Sequence, residues 1–302
     1  MKRFQTFWIM MFSIMVLVQV SACSKDDMPD VGVSDMDGRR VTSVGECKIR
    51  YDENGRPYKF KDYEGEEVTI DYDKNKMYFD GIEYNLKFSK GLISEMSFSV
   101  IDDSDSYQSR DTGKYTFSYD KDNCLTKMTE DISGRIQYHN KDHVETISLK
   151  TEQNFIWRNG NLRHIAYKGV EVNDGQEYGF SSDIEIEYGI EENRFRQFPL
   201  GFLYNFEDFC DVLFAVGLFG NGPVYLPDEM VINLYEDDED DYEFSRPFSF
   251  TLNYNGTIKS EKFNGSTTNY GYSTITRADG SADLLRLKFK PWKRMGRRAI
   301  VK

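Results

Sequence analysis

The stretch that decides the fold is Phe117-Ser-Tyr-Asp-Lys-Asp-Asn-Cys-Leu-Thr-Lys-Met128. Aromatic residues at Tyr115, Phe117 and Tyr119 alternate with polar ones, which is the two-residue period of a strand with one buried face. The Asp-Lys-Asp-Asn that follows favours a tight turn, because Asp and Asn side chains bond the nearby backbone and tolerate left-handed dihedrals. A return strand begins at Leu125. The stretch therefore predicts a β-hairpin.

The same strand-turn-strand pattern recurs along the chain. Further copies are Ile49–Phe60, Val68–Asn75, Tyr84–Met96, Ile136–Ile147, Phe155–Ile165 and Phe250–Ile258. Repetition at roughly 20 to 30 residues indicates hairpins stacked side by side, each unable to bury its apolar face alone. We therefore predict a mainly all-β fold: one antiparallel meander of repeated hairpins over residues 46–290, forming a curved sheet or half barrel with one helix packed on it.

The return strands share an irregular spacing of apolar residues. Pairs three apart occur at Pro57/Phe60, Leu125/Met128, Val144/Ile147 and Leu162/Ile165. Strict alternation gives spacings of two or four. A β-bulge after each turn explains the difference, and a strand buried on both faces is the alternative.

Composition narrows the function classes. The 302 residues include 20 Tyr and 22 Phe, which suit half-buried strands, and the formal net charge is −13. An acidic surface of this kind is repelled by nucleic acid, so we expect no nucleic-acid partner.

The N-terminus predicts export. Lys2-Arg3 precedes an apolar run, Phe7–Val20, that is short for a transmembrane helix. The run ends in Val20-Ser-Ala-Cys23, which resembles the lipobox of bacterial lipoproteins. That resemblance implies a signal peptide at residues 1–22, and a Cys23 thiol that receives a diacylglyceryl group. An ordinary secretory signal with an accidental cysteine is the alternative.

The residues after Cys23 predict a tether. Ser24-Lys-Asp-Asp27 resembles the short acidic export tag of surface lipoproteins of Bacteroidetes, and residues 23–45 are polar and poor in aromatics. We expect a flexible lipidated tether here and an outer-membrane anchor with the domain exposed at the surface, the periplasmic face being the alternative. Residues 291–302 form a basic C-terminal tail.

The repeats also resemble a known class. Tyr51-Asp-Glu-Asn-Gly55 is close to the YD repeat of Rhs-type and teneurin-type proteins, whereas His139 and Arg158 replace the Asp in other copies. Together with the lipobox, the chain resembles a family of Bacteroidetes lipoproteins with an uncharacterised, YD-repeat-like β domain. The family supplies no biochemical activity that the resemblance could transfer to this chain.

One helix is predicted within the sheet-forming region, at about residues 205–219. Phe206, Phe209, Leu213, Val216 and Phe219 recur at three- to four-residue steps, and Gly220-Asn-Gly-Pro223 ends the segment. We expect it to plug the concave side of the sheet. A membrane-surface helix is the alternative, which its acidic polar face disfavours.

The sequence contains no recognisable catalytic or metal motif. His139 and His143 lack a third ligand nearby and are predicted to be exposed turn residues, while His164 is predicted to face solvent or a neighbouring strand. The acidic runs Asp102–Asp105 and Glu236–Asp241 lack calcium-loop spacing and are predicted to be solvated loops. Three cysteines remain after the lipidation site: Cys47, Cys124 and Cys210. Buried thiols are expected, with one disulfide among them left open.

These patterns predict a non-catalytic binding module of the cell envelope, with no cofactor and a glycan or a protein as ligand. Trp157 and Trp292 are candidates for stacking on sugar rings. The alternatives are a structural or assembly component of an envelope complex, and a glycan-processing enzyme.

Overall fold

The computed structural model describes residues 39–61, 65–104, 107–139, 144–203, 210–236 and 242–274. These residues are almost entirely antiparallel strand, with a 3-10 turn at Leu200–Leu203 and one short helix, α1, at Cys210–Ala215. The strands are β1 Arg39–Val44, β2 Cys47–Lys48, β3 Arg50–Tyr51, β4 Pro57–Lys61, β5 Glu67–Asp71, β6 Lys76–Phe79, β7 Ile82–Ser89, β8 Leu92–Asp103, β9 Tyr107–Tyr119, β10 Leu125–Tyr138, β11 Val144–Arg158, β12 Asn161–Asn173, β13 Gln176–Glu192, β14 Tyr225–Glu236, β15 Tyr242–Leu252, β16 Ile258–Phe263 and β17 Ser266–Thr274. The predicted all-β meander is confirmed.

The sheet nearly closes on itself. Strands that follow one another in sequence pair antiparallel, and β1 pairs with both ends of the meander, since Val41 lies opposite Tyr272 and Val44 lies opposite Cys47. The short β2 pairs with β1 and the short β3 pairs with β4, so together they complete the circuit. The result is a barrel-like sheet, more closed than the half barrel that the sequence suggests.

The first strand corrects the expected boundary between tether and domain. Arg39–Val44 lies in the stretch assigned to the tether, yet it closes the sheet between β17 and β2. Val41 and Val44 are buried, and the strand pairs with β17 on one edge and with β2 on the other. Because the strand has only two apolar residues, its sequence does not predict a strand.

The repeated turns share one geometry. In Asp52–Arg56 and Asp120–Cys124, the N–H of the first residue donates to the carbonyl of the fifth, at 2.9 and 3.0 Å. The first aspartate also accepts the N–H groups of the third and fifth residues, at 2.8 to 3.0 Å. A left-handed fourth residue completes each turn, Gly55 or Asn123. The Tyr-Asp pattern thus marks a carboxylate that holds a five-residue turn.

Bulges begin the return strands, as predicted. Register shifts occur where Pro57, Leu125 and Leu162 enter their strands, which confirms the prediction at Pro57/Phe60, Leu125/Met128 and Leu162/Ile165. The prediction is wrong at Val144/Ile147, where β11 pairs with β10 without a shift. That pair lies at the far end of long strands, and Ile147 is 41% exposed, so no core demands a fixed spacing there.

At five bulges that begin return strands, an aromatic donor of the next strand binds the bulge carbonyl. The hydroxyl of Tyr119 donates to Ile93 at 2.6 Å, and the indole Nε1 of Trp157 donates to Leu125 at 2.7 Å. The same bond, at 2.7 Å in each case, joins Tyr72 to Pro57, Tyr188 to Leu162 and Tyr272 to Ile258. Because a bulge disrupts the local ladder, a side-chain donor at this carbonyl helps to satisfy it.

Apolar residues in the described parts of the segment between β13 and β14, 193–203 and 210–224, fill the interior of the sheet. Consecutive residues Val212–Ala215 are all buried, so α1 is covered on every side rather than along one stripe. The Phe219 ring lies 4.5 Å from that of Phe117 on β9. The predicted plug is thereby supported for residues 210–219, while Phe206 and Phe209 lie outside the described residues.

The helix ends earlier than predicted. It ends at Ala215, because Gly217 is left-handed (φ 78°) and the Leu218 N–H returns to the Leu213 carbonyl at 3.0 Å. A left-handed glycine followed by this hydrogen bond back to the last turn is the Schellman motif, a common helix C-terminus. Apolar residues continue to Phe219 because the turn, like the helix, is buried.

Backbone and carboxylate contacts fix the plug to the sheet. The Asn221 N–H donates to the Asn123 carbonyl at 2.9 Å, joining the plug to a repeat turn. The buried Glu261 of β16 accepts the Gly201 N–H at 2.7 Å and the Tyr270 hydroxyl at 2.9 Å. Burial raises the pKa of Glu261, and these hydrogen bonds oppose that rise.

The outward side of the sheet is charged. Ion pairs link neighbouring strands, as where Glu95 lies 2.8 Å from Lys87 and 2.9 Å from Lys114. Such exposed pairs contribute little stability individually, and their charged groups are hydrated. In the part of the chain that the structure describes, no helix is long and apolar enough to cross a membrane.

Candidate functional site

Strands β8 to β13 extend beyond the closed ring. The pairing of β7 with β8 reaches only Phe98, whereas β8 and β9 pair on to Asp103, and β9 and β10 to Tyr138. Alternate side chains here continue the inward-facing rows of the ring, and we call this surface the inner extension face. Its aromatic residues are Phe98, Tyr107, Tyr138, Tyr167, Tyr178 and Phe180. Its carboxylates are Asp102, Asp111, Glu130, Glu145 and Glu171.

Two tyrosines form the outermost pair on this face. Tyr107 and Tyr138 lie opposite each other on β9 and β10, with ring centroids 6.4 Å apart and an interplanar angle of 64°. The Tyr107 hydroxyl donates to Asp102 at 2.8 Å, and the Tyr138 hydroxyl donates to Glu145 at 3.3 Å. The bond to Asp102 raises the pKa of Tyr107. Carboxylates therefore orient both phenols at the open end of the strands.

A second polar group lies deeper on the same face. Tyr115, Glu130 and Thr151 occupy one row across β9, β10 and β11. The Thr151 hydroxyl donates to Glu130 at 3.1 Å, and the Tyr115 hydroxyl bonds the same carboxylate. Burial raises the pKa of Glu130, and both hydrogen bonds oppose the rise. Nearby, burial raises the pKa of Tyr167, and the Glu130 charge adds to that effect.

The two sides of the extension differ in charge. Among the described residues of β8 to β13 that extend past the ring, the inner rows contain carboxylates but neither Lys nor Arg. The outer rows hold the basic residues Arg110, Lys114, Arg135, Lys150 and Lys168. The inner extension face can thus accept hydrogen bonds and offer ring surfaces, while it disfavours anions.

Trp157, a candidate for stacking on sugar rings, is half-buried. Its ring packs against the buried core and its indole N–H is bound to the Leu125 carbonyl. These contacts give the ring a structural role, and its stacking on sugars stays a prediction. Trp292 lies outside the described residues.

The remaining polar candidates are dispersed. His139 bonds the Ser104 carbonyl at 3.0 Å, and His164 pairs with Asp183 at 2.8 Å on the outer side. His143, Asp105 and residues 237–241 of the longer acidic run fall outside the described ranges. Within those ranges, no three His, Cys, Asp or Glu side chains are grouped as a metal site requires.

The described cysteines are part of the packing. Cys47 and Cys124 are buried thiols that are not joined to each other in a disulfide. Burial raises the pKa of Cys124 to about 11, although Arg196, whose guanidinium lies 3.2 Å from the sulfur, opposes the shift. Such a thiol is poorly reactive. The side chain of Cys210 is outside the described part.

Comparison with known proteins yields likeness of structure alone. No protein-family model matches the chain, and no curated protein matches it. A porin-like protein from Bacteroides vulgatus is 12% identical, with a TM-score of 0.48 over 78% of this chain and 100% of that one. A porin-like protein from Bacteroides uniformis is 16% identical, with a TM-score of 0.38 over 78% and 96%. The description as porin-like belongs to those two proteins.

Sequence reasoning missed Tyr107 and Tyr138. They are 31 positions apart, and only the register of β9 against β10 brings them together. The signal available was Tyr138 within a predicted strand, whereas Tyr107 follows an acidic run that we expected to form a solvated loop.

Proposed function

We propose that this protein is an exported, lipid-anchored envelope protein that binds a neutral glycan on the inner extension face without altering it chemically. The observation that carries the proposal is the Tyr107–Tyr138 ring pair beside Asp102 and Glu145. Tyrosine combines an apolar ring with a polar tip, which suits a ligand with C–H faces and hydroxyl edges.

The carboxylates of the inner extension face favour an uncharged ligand. A hydroxyl-rich ligand can donate to Asp102, Glu145 and the phenol oxygens, and carboxylates accept several hydrogen bonds each. A uronate or sulfate group brought to about 4 Å of a carboxylate would be repelled by about 1 kcal/mol or more, depending on the local dielectric. The inner extension face therefore favours neutral sugars over acidic ones.

Affinity electrophoresis tests this proposal. A Cys23→Ser variant, which lacks the lipid, would be run through native gels containing neutral polysaccharides or uronate-containing polysaccharides. We expect retardation by at least one neutral polymer and none by the uronate polymers. Retardation by uronate polymers alone would contradict the proposal, and free migration through every gel would redirect the search to an envelope protein as partner.

Lipidation at Cys23 is tested separately. We expect the wild-type protein to incorporate a metabolically supplied, clickable fatty acid and to fractionate with membranes. The Cys23→Ser variant should lose the label, because the thiol is the lipid acceptor. A Cys47→Ser variant is the matched control and should keep it, since Cys47 is a buried thiol of β2. Equal labelling of wild type and Cys23→Ser would exclude Cys23 as the lipid site.

A further inference from the structure

Two arginines face each other on the outer side of the extension. Arg110 of β9 lies directly opposite Arg135 of β10, and both side chains are exposed. Like charges directly opposite each other in a sheet are destabilising. The chain carries 51 acidic residues against 38 basic ones, so opposed arginines run against its general composition.

Three hydroxyl-bearing residues lie beside this pair. One row closer to the ring, Thr112 lies opposite Ser133, and their side-chain oxygens are 2.9 Å apart. One of these two hydroxyls donates to the other, and the O–H of the accepting residue can then donate to a ligand. Thr146 lies beside Arg135 on β11. Together with Gly134, the two arginines, Thr112 and Ser133 line a shallow depression of about 380 Å³.

Carboxylates do not neutralise the pair within the described residues. The residues directly opposite Arg110 and Arg135 on the adjoining strands are Ile101 and Thr146, and Asp103, the next outer-face residue of β8, lies 3.8 Å from His139. Asp111 follows Arg110 in sequence but belongs to the inner face, where its carboxylate abuts Gly134. Asp131, two residues before Ser133, faces Lys150 at 3.9 Å.

We propose that Arg110, Arg135, Thr112 and Ser133 form a binding site for a tetrahedral oxyanion, a phosphate or a phosphate ester. Guanidinium groups match the geometry of phosphate oxygens through paired N–H donors, and hydroxyls add further donors. A bound dianion converts the repulsion between the two arginines into attraction to a shared ligand. This site is on the side opposite the inner extension face, so it is independent of the proposed glycan site.

The test uses the Cys23→Ser protein with inorganic phosphate as probe, titrated against chloride at constant ionic strength. We expect phosphate to raise the Tm of this protein and of its Lys150→Gln derivative, which removes an outer-face cation nearby. Arg110→Gln and Arg135→Gln should each weaken phosphate binding by about tenfold or more, because each removes a charged hydrogen-bond donor. Both arginines are exposed, so both variants should fold, which their circular dichroism would verify.

A second arm distinguishes the sources of the phosphate group. Phosphatidylcholine vesicles with and without phosphatidic acid would be used in flotation assays with the same proteins. Arginine-dependent binding to phosphatidic acid alone would assign the site to a lipid headgroup, and an arginine-dependent response to inorganic phosphate would assign it to a free or esterified phosphate. If neither probe binds, or if both arginine variants respond as the Lys150→Gln protein does, the site is refuted.

Discussion

Replacing Phe219 by alanine is expected to lower the free energy of unfolding by about 3–5 kcal/mol. Phe219 is fully buried, and its ring centroid lies 4.5 Å from that of Phe117 and 4.6 Å from that of Phe214. Its removal leaves a cavity between the plug and β9, because the surrounding strands are hydrogen-bonded on both sides and collapse poorly. Urea unfolding followed by tyrosine and tryptophan fluorescence measures the change.

Tyr254→Ala is the matched control for this experiment. It also deletes an aromatic ring, but Tyr254 is 93% exposed on a repeat turn, so we expect a change within about 0.5 kcal/mol. A loss of less than about 1 kcal/mol for Phe219→Ala, equal to that of the control, would mean that the plug does not pack inside the sheet.

Trp157→Ala should destabilise the fold by a similar amount, about 3–5 kcal/mol. It removes both the packing of the ring against the core and the 2.7 Å bond to the Leu125 carbonyl. Trp157→Phe keeps most of the ring packing but leaves that carbonyl without its indole donor, so a loss of about 1–3 kcal/mol is expected. The difference between the two variants separates packing from hydrogen bonding.

The same experiment extends to the other strands. Tyr119→Phe and Tyr188→Phe delete only the hydroxyls that bind Ile93 and Leu162, and each should cost about 1–3 kcal/mol. Tyr78→Phe is the control, because Tyr78 is 37% exposed on the outer face of β6 and should tolerate the change. If Tyr119→Phe and Tyr188→Phe matched this control, the bonds from aromatic residues to bulges would contribute nothing to stability.

The repeat and its bulges could be predicted from sequence because local chemistry determines them. The Asp of Tyr51-Asp and Tyr119-Asp holds its own turn, and the three-residue spacing of Leu125 and Met128 records the bulge directly. The aromatic residue of the repeat has a further role that no local pattern shows. Its donor reaches a carbonyl on the preceding strand, as from Tyr119 to Ile93, and that partner is set by register.

Closure and the candidate site depend on contacts between distant parts of the chain. The pairing of Arg39–Val44 with Ser266–Thr274 joins the two ends of the described chain. Strand β1 has too few apolar residues for a strand to be predicted from its sequence. The sequence places the end of the helix at Gly220 because the apolar residues continue to Phe219, but the buried turn after Ala215 is apolar too, and the left-handed Gly217 ends the helix. The candidate site also depends on a long-range contact, since Tyr107 meets Tyr138 only through the long β9–β10 pairing.

The measurement that tests the central claim most directly is affinity electrophoresis of the Tyr107→Ala/Tyr138→Ala double variant in a neutral polysaccharide that retards the parent protein. Tyr78→Ala, which removes a tyrosine from the outer face, is run beside it. Our account predicts that the double variant migrates freely, while Tyr78→Ala is retarded like the parent and all three unfold at similar urea concentrations. Retardation of the double variant equal to that of the parent would show that the glycan does not bind at the inner extension face.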